Sequence, residues 1–212
     1  RLTIDKAMNI TKSHTIDYCG LTYPINMPDF YSTVDFESKN TYTGKDLGST
    51  WSKESTTFRV WAPTAESAKV LLYNSGDKNA NDLIKSVEMK ADVNGTWVVT
   101  VPGDLNGVYY TYEVFVGGRY AEACDPYARA TGVNGDRAMV IDLDSTDPEG
   151  WENDKNPNAN LSFNDAIIYE LHIRDLSSDA SSGISNVGKY LGLTEHGTKT
   201  PGGVPTGIDH IK

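Results

Sequence analysis

Between Leu47 and Leu143 the chain repeats one pattern: a short run rich in Val, Thr, Tyr, Phe and Trp, followed by a cluster of Gly, Asn, Asp or Pro. Thr57-Phe58-Arg59-Val60-Trp61 closes at Pro63, and Ala68-Lys69-Val70-Leu71-Leu72-Tyr73 closes at Asn74-Ser75-Gly76-Asp77. Trp97-Val98-Val99-Thr100-Val101 follows Asn94-Gly95, the dipeptide most typical of a tight hairpin, and stops at Pro102-Gly103. Val108, Tyr110, Tyr112, Val114 and Val116 alternate with Tyr109, Thr111, Glu113 and Phe115, and Gly117-Gly118 then leads into Arg119-Tyr120-Ala121-Glu122. Ala138-Met139-Val140-Ile141-Asp142 reads as a last strand. Strands at this spacing, with no helical period between them, confine the segment to a mainly β fold, a β-sandwich of the immunoglobulin-like kind.

The flanks read differently. Residues 1–40 hold only short strand-like pieces, Leu2-Thr3-Ile4 and His14-Thr15-Ile16-Asp17-Tyr18, broken by Pro24 and Pro28. That is too little for a core, so the tail of a preceding domain plus a linker is expected before the sandwich at 41–147. Arg1 opens mid-pattern with neither an initiator Met nor a signal peptide, which predicts a missing upstream stretch and leaves the compartment, cytoplasmic or secreted, unassigned. Residues 148–164, with Asp147-Pro148-Glu149-Gly150-Trp151 and Asn156-Pro157-Asn158, have linker chemistry. A second domain is expected over 165–212: a β-rich run from Ala166 to Ile173, a Gly-rich loop from Ser181 to Gly207, and a first helical turn at Ile208 and Ile211 with Thr206 as its N-cap.

Charge and ligand chemistry narrow the function classes. A net charge of −10 with no Lys/Arg cluster excludes a basic face for nucleic acid and is compatible with a neutral polyol. No apolar run approaches the roughly 20 residues of a spanning helix, so no membrane segment is expected. Cys19 and Cys124 fit neither a disulfide framework nor a zinc cluster and read as two buried free thiols. His14, His172, His196 and His210 lack ligand spacing. Asp77-Lys78-Asn79-Ala80-Asn81-Asp82 lacks the sixth-position Gly and terminal Glu of a calcium loop, so it reads as a polar turn, and no metal or cofactor is expected.

Phe58-Arg59-Val60-Trp61-Ala62-Pro63-Thr64-Ala65, Gly107-Val108-Tyr109-Tyr110-Thr111-Tyr112 and Asp125-Pro126-Tyr127-Ala128 resemble the sandwich of carbohydrate-binding module family 48. That module commonly precedes the catalytic barrel of starch-active enzymes in glycoside hydrolase family 13. Ile168-Tyr169-Glu170-Leu171-His172-Ile173-Arg174-Asp175 resembles the first barrel strand of several of these enzymes, and Gly188-Lys189-Tyr190-Leu191-Gly192-Leu193-Thr194-Glu195 resembles type I pullulanase. The likeness runs from about Tyr42 to Lys212. It implies a sandwich followed by the first β-strand and loop of a truncated (β/α)8 barrel, in the N-terminal portion of a retaining hydrolase of α-1,6-glucosidic bonds in pullulan, amylopectin and limit dextrins.

A whole barrel needs roughly 250 residues. Retaining hydrolysis needs two carboxyl groups about 5 Å apart, which the family carries on later barrel strands. The resemblance therefore places no catalytic residue in this chain and implies that the chain alone is inactive. Its implied partners are α-glucan and the remainder of the barrel, in the same parent chain or as a separate fragment. Without barrel neighbours, the stretch after Asp165 is expected to be disordered, paired with another copy or held by such a fragment. The alternatives are a non-catalytic glucan-binding module, or the same region of an isoamylase or glycogen branching or debranching enzyme.

Sugar rings present C–H faces that stack on flat side chains, so exposed aromatics are the candidate binding residues. Tyr120 follows a Gly-Gly turn on a polar strand, and the resemblance aligns it with a stacking aromatic of glucan-binding modules. Tyr73, just before a turn, is the second candidate. Trp61 and Trp97 lie in apolar strand patterns and read as core. Glu170, His172 and Arg174 alternate along the expected first barrel strand and read as one hydrogen-bonded structural face.

Overall fold

The computed structural model describes residues 8–26 and 28–212, and its backbone falls into two compact units, the first ending at Trp151 and the second running from Glu152 to Lys212. The piece Leu2-Thr3-Ile4 lies outside the described residues. The first unit opens with a hairpin of β1 (Thr15–Tyr18) and β2 (Leu21–Pro24), turned by Cys19 and Gly20, both at positive φ. Cys19 is exposed there and Cys124 is only half-buried, so the expectation of two buried thiols fails: a residue at the tip of a two-residue turn has nothing packed over it. Helix α1 (Val34–Asn40) follows, started by the Thr33 hydroxyl, which accepts from the Phe36 N–H at 3.3 Å. Phe36 is buried beneath Phe30 and Tyr31, edge-on to both rings.

The sandwich follows from strand alternation. One sheet has the order β3 (Gly48–Trp51), β4 (Ser55–Trp61), β8 (Thr96–Pro102) and β7 (Lys90–Ala91). The other runs β10 (Arg119–Ala123), β9 (Tyr109–Val116), β5 (Ser67–Tyr73) and β6 (Leu83–Glu88). All pairs are antiparallel, and the short β11 (Ala138–Met139) pairs with the start of β9, alongside Tyr109 and Tyr110. Successive side chains on a strand point to opposite faces, so Phe58 of β4, Val101 of β8, Ala68, Val70 and Leu72 of β5, and Tyr110 and Tyr112 of β9 meet between the sheets. Val140, Ala138 and Met89 complete this core.

Trp97 packs against the core with its indole N–H on the Ala62 carbonyl at 3.0 Å. Trp61 does not. It shares the outward side of β4 with Arg59, opposite to Phe58 and Val60, and is 44% exposed, which corrects its reading as a core residue. Asn94 (φ 52°, ψ 38°) and Gly95 (φ 75°) form the expected hairpin turn between β7 and β8. A side chain at Gly95 would drive a Cβ to within 2.5 Å of Pro63.

Asp125 closes one end of the core. The residue is 4% exposed, and its carboxylate accepts from the Tyr110 hydroxyl at 2.6 Å and from the Tyr127 N–H at 2.8 Å, which pins the Asp125-Pro126-Tyr127 turn onto the central strand. Gly48 fits against this turn at φ 98°, where a Cβ would lie 3.1 Å from the Tyr127 carbonyl oxygen. Burial raises the Asp125 pKa, against the opposing pull of the Tyr110 and Tyr127 donors.

The second unit departs from expectation at its start. Residues 166–172 form no strand: among the described residues nothing pairs with them, and Ile167 and Ile168 are 98% and 89% exposed. A β-strand exists through its ladder, so an isolated run of the right composition does not register as one. The chain turns instead into α2 (Ile173–Ser178), which takes Arg174 out of any strand; Glu170, His172 and Arg174 do not line one strand face. The loop that follows is organised by Glu195, which accepts from the N–H groups of Ser185 (2.8 Å) and Asn186 (2.7 Å) and from the Asn186 side chain (2.8 Å). Helix α3 (Ile208–Ile211) begins after Gly207 at φ 59°, not at Thr206, whose hydroxyl donates to the Ser182 carbonyl.

Two outcomes follow from these buried and bridging carboxylates. Asp125→Ala leaves the Tyr110 hydroxyl and Tyr127 N–H without their acceptor and is expected to cost about 2–3 kcal/mol in urea unfolding. Because the folded-state pKa of Asp125 is raised, the wild-type chain should lose stability relative to Asp125→Asn as pH rises from the ordinary Asp range through the raised value, and show a constant difference below that range. Glu195 is the opposite case: the Ser185 N–H foremost, then the Asn186 N–H, lowers its pKa, so its hold on the loop is complete above the ordinary carboxylate range and is lost as pH falls through the depressed value. The amide resonances of Ser185 and Asn186 should report that midpoint, and a midpoint at or above the ordinary Glu value would contradict it.

Candidate functional site: the outer face of the β10-β9-β5-β6 sheet

The same alternation that sends Tyr110 and Tyr112 inward sends Tyr109, Thr111, Glu113 and Phe115 outward. Register then sets their neighbours. Tyr120 stands opposite Phe115, Glu122 opposite Glu113, Ser67 opposite Phe115, Lys69 opposite Glu113, and Tyr73 opposite Tyr109. Tyr73 and Tyr120 thus lie on one sheet face, on strands either side of β9.

The two tyrosines have different surroundings. Tyr120 is 63% exposed, its ring tilted against Phe115 at 4.8 Å between centroids, with the Lys69 ammonium 5.9 Å from its own centroid. Lys69 lies between Glu88 at 3.5 Å and Glu113 at 3.7 Å, and the Glu88 charge foremost raises its pKa. The result is an apolar ring pair bordered by charged donors and acceptors.

Tyr73 is 8% exposed, because the Arg137 guanidinium lies 3.6 Å from its ring centroid. Arg137 is itself buried, paired with Asp82 at 2.8 Å and donating to the carbonyls of Ser75 (2.8 Å) and Ala80 (3.3 Å). The Tyr73 hydroxyl donates to Glu122 Oε1 at 2.7 Å, and the Thr111 hydroxyl reaches the same oxygen at 2.7 Å. Burial foremost, then this bond to Glu122, raises the Tyr73 pKa and keeps the phenol a donor. Tyr73 therefore acts on this face by orienting Glu122, while Tyr120 offers ring surface. This is in keeping with the unbroken apolar run Val70-Leu71-Leu72-Tyr73: its outward members Leu71 and Tyr73 are buried too, Tyr73 beneath Arg137.

Glu122 borders a recess of about 300 Å³ lined also by Lys78, Thr111, Cys124 and Asp136, with Lys78 and Asp136 paired at 3.0 Å. Lys69, Phe115 and Glu122 were not singled out from sequence, although the odd-even alternation of β9 carries the signal that would have found Phe115. The loop from Asp77 to Asp82 folds as a polar turn, with Asp77 Oδ1 accepting from the Asn79 N–H at 2.9 Å and Asp82 committed to Arg137. No cluster of three or more metal-binding side chains occurs among the described residues.

Residues 46–128 match the carbohydrate-binding module 48 family, described as the isoamylase N-terminal domain. Among characterised proteins, the chain is 36% identical over 180 residues to the pullulanase of Bacillus subtilis, covering 85% of this chain and 24% of that one. It is 38% identical over 160 residues to the chloroplastic pullulanase 1 of Arabidopsis thaliana, covering 70% of this chain and 16% of that one. Among solved structures, the pullulanase from Bacillus acidopullulyticus superposes with a TM-score of 0.87 at 43% identity, over 99% of this chain and 25% of that chain. The Paenibacillus barengoltzii pullulanase complexed with maltohexaose and alpha-cyclodextrin gives 0.79 at 52% identity, over 84% of this chain and 27% of that chain. The chain thus spans about a quarter or less of the curated relatives just named. The resemblance to the N-terminal part of type I pullulanase, and the sandwich that it implied, are borne out.

Tyr73→Phe removes one donor from Glu122 without disturbing the ring under Arg137. The expected cost is about 1 kcal/mol in urea unfolding, with the exposure of Tyr120 unchanged by iodide quenching of a chain whose other surface tyrosines are replaced by Phe.

Proposed function

We propose, taking the family match over residues 46–128 as premise, that the Tyr120 face binds α-glucan and that the chain serves as the front of a starch-debranching hydrolase acting on α-1,6-glucosidic bonds in pullulan, amylopectin and limit dextrins. The observation that carries this reading is the exposed Tyr120 ring held on Phe115 beside Lys69. A pyranose offers C–H groups to a flat ring and hydroxyls to its rim, and this face supplies both: a fixed ring, and Lys69, Glu113 and Glu122 around it. Tyr73 contributes by holding Glu122 in place.

In this reading residues 41–147 are the module, 148–164 the linker and 165–212 the opening of the catalytic barrel. The unpaired stretch 166–172 then awaits parallel neighbours supplied by the rest of the barrel, which would cover Ile167 and Ile168. The bond-breaking step belongs to two carboxyl groups about 5 Å apart in the parent enzyme, a nucleophile and an acid/base, and the reaction retains configuration. This chain supplies binding and support.

Affinity gel electrophoresis on pullulan and amylopectin tests the binding role. The wild-type chain should be retarded, and Tyr120→Ala should weaken retardation about tenfold in apparent affinity while melting at the same temperature. Equal retardation of the two would remove Tyr120 from the site. The chain incubated with pullulan should release no reducing sugar, and release of maltotriose would overturn the division of labour.

A further inference from the structure

On the other sheet, where β4 ends, a groove of about 290 Å³ is walled by Tyr42, Leu47, Trp61, Pro126 and Tyr127, with Asn40 alongside. None of its lining side chains is charged. Its three aromatic residues are each held by neighbouring groups. The Trp61 indole N–H donates to the carbonyls of Asn40 (2.6 Å) and Asn94 (3.1 Å), which ties the ring to the end of α1 and to the β7–β8 turn. The Tyr42 hydroxyl is bonded to Asp46, and its ring lies 5.3 Å from the Arg59 guanidinium. The Tyr127 backbone is fixed by the buried Asp125. Yet Trp61 and Tyr127 remain 44% and 55% exposed.

An indole whose one polar atom is already consumed by two carbonyls has only its flat surface to offer. A ligand for this groove is therefore uncharged and presents apolar faces, and it finds rings whose ordering cost is already met. We infer that the Trp61–Tyr42–Tyr127 groove is a second α-glucan contact, separate from the Tyr120 face. The choice of glucan over another neutral ligand rests on the function proposed above; the separateness rests on Trp61 and Tyr120 belonging to different sheets. Two contacts on one module would let a single long glucan, or two branches, be held at once, so affinity should rise with glucan length beyond what either contact gives alone.

Titration of the ¹⁵N-labelled 212-residue chain with maltohexaose tests this. Expected are shifts of the Trp61 indole and Tyr127 amide resonances that persist in Tyr120→Ala, with the affinity read from them about tenfold weaker in Tyr127→Ala. Trp61→Ala should abolish the Tyr127 shift; Tyr127→Ala, which alters an exposed ring and no internal bond, guards against a folding defect in that variant. Shifts confined to the surroundings of Tyr120 would overturn the groove and leave the Tyr120 face standing. Absence of any shift with maltohexaose would overturn both.

Discussion

The Asp125 carboxylate is buried with neutral donors as its hydrogen-bond partners, the Tyr110 hydroxyl and the Tyr127 N–H. A group in that position cannot be exchanged for water without opening the sandwich, so it fixes the relation between the central strand β9 and the turn that follows β10. Much else is set by that relation. Tyr110 carries edge-on contacts to Phe58 across the core and to Tyr112 along its own strand. Tyr127 is delivered to the groove beside Trp61, and Gly48 is required to be a glycine where β3 passes beneath the turn.

Strand β9 also decides the exterior. Its odd members build the candidate glucan face as its even members build the core, so inside and outside are two readings of one alternating sequence. The division of that exterior between open and covered halves comes from Arg137. Its ion pair with Asp82 and its position over Tyr73 close one half, leaving Tyr120 and Phe115 as the open one. Arg59 does comparable work on the opposite sheet, joining Asp46 at 2.9 Å and Asp92 at 2.6 Å and thereby bringing the approach to β3 against the β7–β8 turn.

Much of this was legible in the sequence where local rules are strict. Period-two runs bounded by Asn94-Gly95 and Gly117-Gly118 located the strands and both hairpins, and the motif around Phe58 and Asp125 pointed to the sandwich family. Edge strands were the omissions: Gly48–Trp51, Leu83–Glu88 and Lys90–Ala91 have mixed composition because only one side of each is paired or packed. Trp61 was misjudged because an apolar pattern does not reveal which parity faces the core. Tyr73 and Tyr120 were both legible as aromatics near turns, but the burial of Tyr73 depends on Arg137, far along the chain, which no local pattern announces. The run 166–172 shows the same limit from the other direction, since composition marks a strand while its partners decide whether one forms.

That run has a further bearing on the molecule. Ile167, Ile168 and Tyr169 present a greasy ribbon whose peptide groups lack ladder mates within the described chain. Such a ribbon is a template for stacking of like upon like, the first step of fibril-type assembly. The surplus of ten negative charges opposes that step by mutual repulsion, and salt screens repulsion of this kind. Added electrolyte accordingly weakens the charge repulsion that keeps such ribbons apart.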